Sequence, residues 1–287
     1  MTKKILLQFD AGQHPSSFDS IVAVDAGVDY LLRYGDAQVT TVPGLVHGAM
    51  FTRGGDDLAS TAIFVGGENV EDAEKLVKAI EAVFFGPIRV SVMMDANGCN
   101  TTASAAVVAA GRHTDLSRSK AVVLGGTGPV GRRVAQLLAG EGAAVTLTSR
   151  SMDRAKRVCD VITGKGLPGT LQPAAPRHEK QMAELVRGHD CVIASGAAGV
   201  QLIEESTIAS LATLKVAIDL NAVPPAGIGG IEMTDKAKSL PHGVGYGAIG
   251  VGGLKMKTHK AAIRQLFQAN DQVFDALEIY QIAKSIG

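Results

Sequence analysis

Ala121-Val122-Val123-Leu124-Gly125-Gly126-Thr127-Gly128-Pro129-Val130-Gly131 is the stretch that decides the fold of this chain. Residues 121–124 read as a buried strand. The next glycines fit G-x-G-x-x-G at Gly126, Gly128 and Gly131, with Thr127, Pro129 and Val130 between them. Between a strand and a helix, that spacing marks a dinucleotide-binding turn. The first glycine makes the tight turn, the second lets backbone approach a pyrophosphate, and the third allows close helix–strand packing. Free N–H groups and the helix dipole then favour an anion. Pro129 suits an early helical position, where its missing N–H costs nothing. In a chain with 34 glycines the pattern alone is weak, and its strand–turn–helix context gives it weight.

Reading downstream, 129–139 is a helix, 143–148 a strand, 152–162 a helix, and 164–176 a Gly/Pro-rich loop. Residues 180–186 form a helix, 191–195 a strand, 204–211 a helix and 216–220 a strand. A Gly-rich stretch covers 227–253, and two helices follow at 257–268 and 274–286. Upstream, 4–9, 60–65 and 88–94 read as strands, while 18–25 is either a strand or the start of a helix. Val70, Ala73, Leu76, Val77 and Ile80 recur at a helical period within 69–85, and Gly86-Pro87 ends that run. Residues 100–110 are helical, and 112–119 is a polar linker. Alternating strands and helices predict an α/β protein with parallel sheets. The expected division is an N-terminal α/β substrate domain (1–112), a Rossmann-type dinucleotide domain (113–254) and C-terminal helices (255–287).

The composition narrows the functional classes. Lys+Arg and Asp+Glu both number 28, so no global charge favours nucleic acid or an anionic membrane. At 46% hydrophobic the chain is globular. Cys99, Cys159 and Cys191 are scattered and give neither a disulfide framework nor zinc spacing, so a reducing, cytoplasmic setting is expected. The short apolar run after Lys3-Lys4 is too brief for a signal peptide, and no segment approaches a membrane span. No metal site is indicated.

The strand at 143–148 ends in Ser149-Arg150, with Arg154 one helical turn on. NAD binders usually carry an acidic residue there for the ribose 2′-hydroxyl. A guanidinium instead pairs with a 2′-phosphate, which predicts NADP. Ser195-Gly196-Ala197 follows a strand and lets the dinucleotide pass close to its end. Asn221 lies at another strand end, ahead of the Pro224-Pro225 loop. Lys255 and His259 are four residues apart and share a helix face. Tyr280 and Lys284 fit Y-x-x-x-K, the acid pair of short-chain dehydrogenases, but that reading leaves the first third of the chain unexplained. An ordinary amphipathic helix accounts for them better.

Several segments are more specific than the glycine turn. They include 3–10 (KKILLQFD), 60–67 (STAIFVGG), 84–90 (FFGPIRV), Asp95-Ala96-Asn97-Gly98-Cys99-Asn100-Thr101-Thr102-Ala103, 221–230 and 247–257. On these the chain resembles the NADP-dependent methylene-tetrahydromethanopterin/methylene-tetrahydrofolate dehydrogenases of bacterial one-carbon metabolism. The resemblance covers nearly the whole chain; 164–187 shows none. It implies two α/β domains, last helices returning to the first domain, a homotrimer, and a tetrahydromethanopterin or tetrahydrofolate substrate. It places Thr102, Lys255 and His259 in catalysis and Phe18, Asp19, Asn97 and Thr101 at the substrate. Cys99 stands where the family motif carries Ser.

The implied reaction removes hydride from a methylene bridge between two amine nitrogens. Their lone pairs drive hydride departure, so positioning and exclusion of water matter more than a strong base. Lys255 then either contacts the substrate away from the bridge or has its pKa lowered by burial. Other expectations consistent with the residues are another two-domain dehydrogenase of shikimate type and an NADP-sensing protein without turnover.

Overall fold

The computed structural model describes residues 2–287. In chain order its strands are β1 (Ile5–Phe9), β2 (Tyr30–Tyr34), β3 (Thr61–Val65), β4 (Ser91–Met94), β5 (Lys120–Leu124) and β6 (Ala144–Thr148). They continue with β7 (Thr170–Ala174), β8 (Cys191–Ala194), β9 (Val216–Asp219), β10 (Lys236–Ser239), β11 (Val244–Tyr246) and β12 (Val273–Phe274). The helices are α1 (Ser17–Asp25), α2 (Val42–Phe51), α3 (Val70–Glu81), α4 (Cys99–Gly111) and α5 (Pro129–Gly140). They continue with α6 (Met152–Thr163), α7 (Glu179–Val186), α8 (Glu205–Ala209), α9 (Ala248–Leu266) and α10 (Ala276–Ile286). No described helix is long and apolar enough to cross a membrane.

Two compact units result. The first holds the residues up to Thr101 together with Met256–Ile286, and the second holds Thr102–Lys255. The division therefore falls inside α4 and α9. It lies ahead of the polar 112–119 segment, within the first turn of α4.

The first unit is built on a five-stranded parallel sheet in the order β12-β4-β3-β1-β2. Its core joins Leu6, Phe64 and Met93 of the sheet to Ala262, Ile263 and Leu266 of α9 and Ile279 of α10. The last helices thus return to the first unit, as expected. The ambiguous segment at 18–25 is helical because the Ser16 hydroxyl accepts from the Asp19 N–H and caps it. Asn69 caps α3 in the same way, accepting from Glu71 and Asp72. Neither β2 nor α2 was evident in the sequence. As an edge strand, β2 leaves Tyr30 and Leu32 exposed and lacks a clean apolar alternation.

The second unit carries a seven-stranded sheet in the order β10-β11-β9-β8-β5-β6-β7, parallel except for β10. The chain starts mid-sheet, builds outward to β7, and returns to β8 beside β5. That reversal creates a switch point at the carboxyl ends of β5 and β8. Here 164–176 is not all loop: β7 occupies Thr170–Ala174, with Pro173 tolerated because the strand lies on the edge. The Gly-rich 227–253 stretch likewise holds β10, β11 and the first turns of α9, which begins at Ala248 rather than 257.

Backbone contact explains the glycines at that helix start. The N–H groups of Gly247, Ile249 and Gly250 donate to carbonyls of Asp235 and Met233. A side chain on Gly250 would land on the Asp235 carbonyl, whereas Gly252 and Gly253 face open space. Gly250→Ala is expected to destabilise the protein by ~1–3 kcal/mol through overpacking. Gly252→Ala should instead be neutral or stabilising by roughly 0.5–1 kcal/mol, the usual gain inside a helix. Thermal melts of the two variants followed by circular dichroism check this contrast.

Candidate active site

In the second unit the site begins where β5 runs into α5. Gly125 has φ +66, and a Cβ there would lie 2.6 Å from Gly196 Cα, so two strand-end turns touch backbone to backbone. A Cβ on Gly126 would meet Leu147 Cγ at 2.7 Å, and one on Gly131 would meet Ser195 Oγ at 2.5 Å and Gly126 Cα at 2.7 Å. Packing alone therefore demands glycine at 125, 126 and 131. Gly128 differs: it caps α5 at an ordinary φ of −76, and nothing lies within 4 Å of its missing Cβ. The protein itself leaves room there for a side chain. A glycine kept bare above a helix N-terminus fits close approach of a pyrophosphate. Pro129 follows as the first helical residue.

The end of β6 is tied to the glycine turn. Gly126 N–H donates to Thr148 O at 2.9 Å and Gly125 N–H to Thr148 Oγ1 at 3.1 Å, tying the glycine turn to the end of β6. Thr127 and Ser149 bring their hydroxyls to 3.4 Å. Ser149 Oγ also accepts from the Ser151 N–H, and Ser151 caps α6 through the Arg154 N–H at 3.4 Å. Arg150 and Arg154 are exposed, and their guanidinium groups have no hydrogen-bond or ion-pair partner among the described residues. The sequence reading passed over Ser151, although a Ser ahead of a helix is a capping signal.

Ser195 and Asn221 prove to be occupied within the protein. Ser195 Oγ donates to Leu124 O at 3.2 Å, and Gly196 packs on Leu202, while Ala197 is exposed. Asn221 Oδ1 accepts from the Val223 N–H and its amide donates to Pro225 O, bracing the loop after β9. Asp219 anchors the same loop, accepting from Asn221 and Ile228 at 2.9 Å each. Burial pushes the Asp219 carboxyl above its ordinary range, against the pull of the Ile228, Asn221 and Gly227 N–H groups. Its sequence signal was a lone acid ending an apolar strand.

The first unit gathers a second set of residues at the carboxyl ends of β3 and β4. His259 is fully buried, stacked on Phe64 with centroids 5.5 Å apart, and 6.4 Å from the ring of Phe18. Phe18 is 48% exposed, its ring tilted 37° to that of His259. His259 Nδ1 lies 4.0 Å from Asp95 Oδ2. Asp95 is itself fully buried and accepts from Asn100 N–H at 2.8 Å, Thr101 N–H at 3.0 Å and the Thr101 hydroxyl at 2.6 Å. Asn97 is exposed in a left-handed turn at φ 52, its N–H donating to Gly67 O. Asp19 is buried in the first turn of α1. Thr102 and Lys255, which bound the second unit, are half-buried, and Lys257 of the first unit is exposed.

Phe18 and His259 are thus neighbours, and Thr101 and His259 both lie against Asp95. Thr101 and His259 are fully buried and present no surface of their own. Asp95 and Phe64 were missing from the sequence reading. The D-x-N-G-x-N motif contained Asp95, but only the fold shows which of its members faces inward.

The model for the N-terminal region of methylene-tetrahydromethanopterin dehydrogenase matches residues 17–97, and that for the C-terminal domain of alanine dehydrogenase/PNT matches 91–277. The bifunctional protein MdtA of Methylorubrum extorquens is 43% identical over 288 residues, spanning all of both chains. The chain belongs to the methylene-tetrahydromethanopterin dehydrogenase family. Another relative from that organism, an NAD(P)-dependent methylenetetrahydromethanopterin dehydrogenase, is 33% identical and covers 100% of this chain and 99% of its own. Among solved structures, shikimate 5-dehydrogenase of Listeria monocytogenes superposes with a TM-score of 0.56 at 12% identity, covering 99% of this chain and 96% of that one. The dehydrogenase family thus shares its two-unit α/β fold with shikimate-type enzymes.

In this family member, Gly128→Val is expected to abolish dinucleotide binding while lowering the melting temperature only slightly, since an added β-carbon meets no protein atom within 4 Å and the remaining cost is that of a poorer N-cap. Calorimetric titration with NADP alongside a thermal melt checks both halves. Normal binding would reduce the motif to a packing turn.

Proposed function

We propose that this chain oxidises the methylene bridge of methylene-tetrahydromethanopterin to the methenyl form with NADP as hydride acceptor. The observation that carries the reading is Gly128, the one fingerprint glycine that the protein's own packing does not require. Methylene-tetrahydrofolate is a second candidate substrate, since it carries the same bridged pair of nitrogens.

Bound NADP would supply the carbon that accepts the hydride. Gly126–Gly131 would hold its pyrophosphate at the N-terminus of α5, and Arg150 with Ser149 and Arg154 its 2′-phosphate. Phe18 offers an aromatic face to the pterin, with His259 and Phe64 fixing the angle of that ring from behind. Asn97 and Thr102 supply polar contacts to the pterin edge, and Asp19 sits beside Phe18 in the same turn. Lys255 serves the substrate away from the bridge carbon, where its charge does not oppose the developing cation. The residues thereby orient the bridge, and its nitrogen lone pairs drive hydride departure.

The assembly we favour is a homotrimer. Ile21 and Val24 on α1 and Tyr30 and Leu32 on edge strand β2 are exposed apolar side chains that a second copy would cover. All three cysteines are free and buried, which fits a reducing cytoplasm.

Arg150→Ala should weaken NADP binding by roughly 10- to 150-fold, the usual worth of one charge-assisted pair, and leave NAD nearly unchanged. Equal losses for both cofactors in calorimetric titrations would sink the assignment. Lys255→Met should lower turnover strongly with little effect on NADP affinity, because Met keeps the apolar stem and loses only the amine. Lys257, which projects about 200° around the helix from Lys255, serves as the control. Steady-state rates of NADPH formation with each pterin check this; loss of activity only in Lys257→Met would mean the wrong lysine was chosen.

A further inference from the structure

The chain after β7 leaves the sheet beside the end of β6, which carries Ser149 and Arg150. Thr148 pairs with Ala174, and the Ser149 N–H donates to Ala174 O at 3.0 Å, so the two strands leave the sheet side by side. Three residues beyond Ala174 stands Arg177, no more than about 10 Å of extended chain away. Its backbone is fixed: the Arg177 N–H donates to Gln181 Oε1 at 2.8 Å, and the next residue, His178, caps α7. Its side chain is exposed, and its guanidinium, like those of Arg150 and Arg154, has no partner among the described residues. Asp153 is the acid on the facing first turn of α6, and it too makes no ion pair with any of the three.

Three arginines without an acid partner among the described residues, on the segments that follow β6 and β7, give this end of the sheet a local positive potential that favours an anion. A 2′-phosphate carries close to two negative charges near neutral pH and three acceptor oxygens, more than one guanidinium can neutralise. We propose that Arg177 is a further specificity-determining residue, closing the 2′-phosphate pocket from the β7 side opposite Arg150. This rests on the reading of the chain as an NADP enzyme. A signal in the sequence was absent because 164–187 matched no motif and the strand leading to Arg177 read as loop.

The test is calorimetric titration of wild type, Arg177→Gln and Arg150→Ala with NADP, NAD, 2′,5′-ADP and 5′-ADP. In Arg177→Gln the affinity for NADP and 2′,5′-ADP is expected to fall ~10-fold or more, the usual worth of a charge-assisted pair. Affinity for NAD and 5′-ADP should stay at the wild-type value, and the salt dependence of NADP binding should become shallower. Wild-type affinity for NADP in this variant overturns the proposal. An equal loss for all four ligands also overturns it, since it would place Arg177 on the adenine ring. Absence of an NADP preference in the wild-type protein would overturn the cofactor reading itself, a result visible before any variant is made.

Discussion

At the centre of the second unit, backbone touches backbone. Gly125 sits against Gly196, Gly126 against Leu147, and Gly131 against Gly126 and Ser195. Two strand ends and the first turn of α5 occupy a space that admits no β-carbon. From this contact follow the position of the helix N-terminus, the path of β6 into Ser149-Arg150, and the meeting of Thr127 with Ser149. Adding one methyl group to Gly126 or Gly131 would push apart elements that have no spare volume. Gly128 stands outside that constraint, and so its bareness points to a ligand.

The first unit is held by a different device, a buried carboxylate. Asp95 takes three hydrogen bonds from the start of α4 and lies beside His259 of α9, so one side chain joins a strand end to two helices. A carboxyl group this deeply placed is tolerated because its oxygens are hydrogen-bonded. His259 in turn lies behind the exposed ring of Phe18. In the proposed reading an exposed aromatic on such a support receives a flat ring with little loss of entropy, and Thr101 and His259 serve by fixing Asp95 and Phe18.

The parallel α/β plan was legible because its central strands are apolar on both faces and its helices carry caps and a 3.6-residue period. The edges were not. β2 exposes Tyr30 and Leu32, β7 contains Pro173, and β10 is a run of Lys and Ser, so each lacks the pattern of a buried strand. The start of α9 was hidden because Gly250, Gly252 and Gly253 weaken a helix locally, and tertiary hydrogen bonds to Asp235 and Met233 override that preference. For the candidate site, motif spacing pointed to the glycines and Arg150, and the family resemblance pointed to Phe18. Asp95, Asp219 and Phe64 escaped because nothing in a linear pattern tells an inward-facing acid or ring from an outward one.

The proposed reaction turns on hydride passing directly from the substrate's bridge carbon to NADP. Substrate deuterated at the methylene bridge tests this most directly, with the NADPH formed analysed by mass spectrometry and proton NMR. Stoichiometric deuterium on the nicotinamide C4 of the product, on one face only, is the predicted result. Methenyl product accompanied by unlabelled NADPH, or no label transfer to NADP from either pterin, would contradict it.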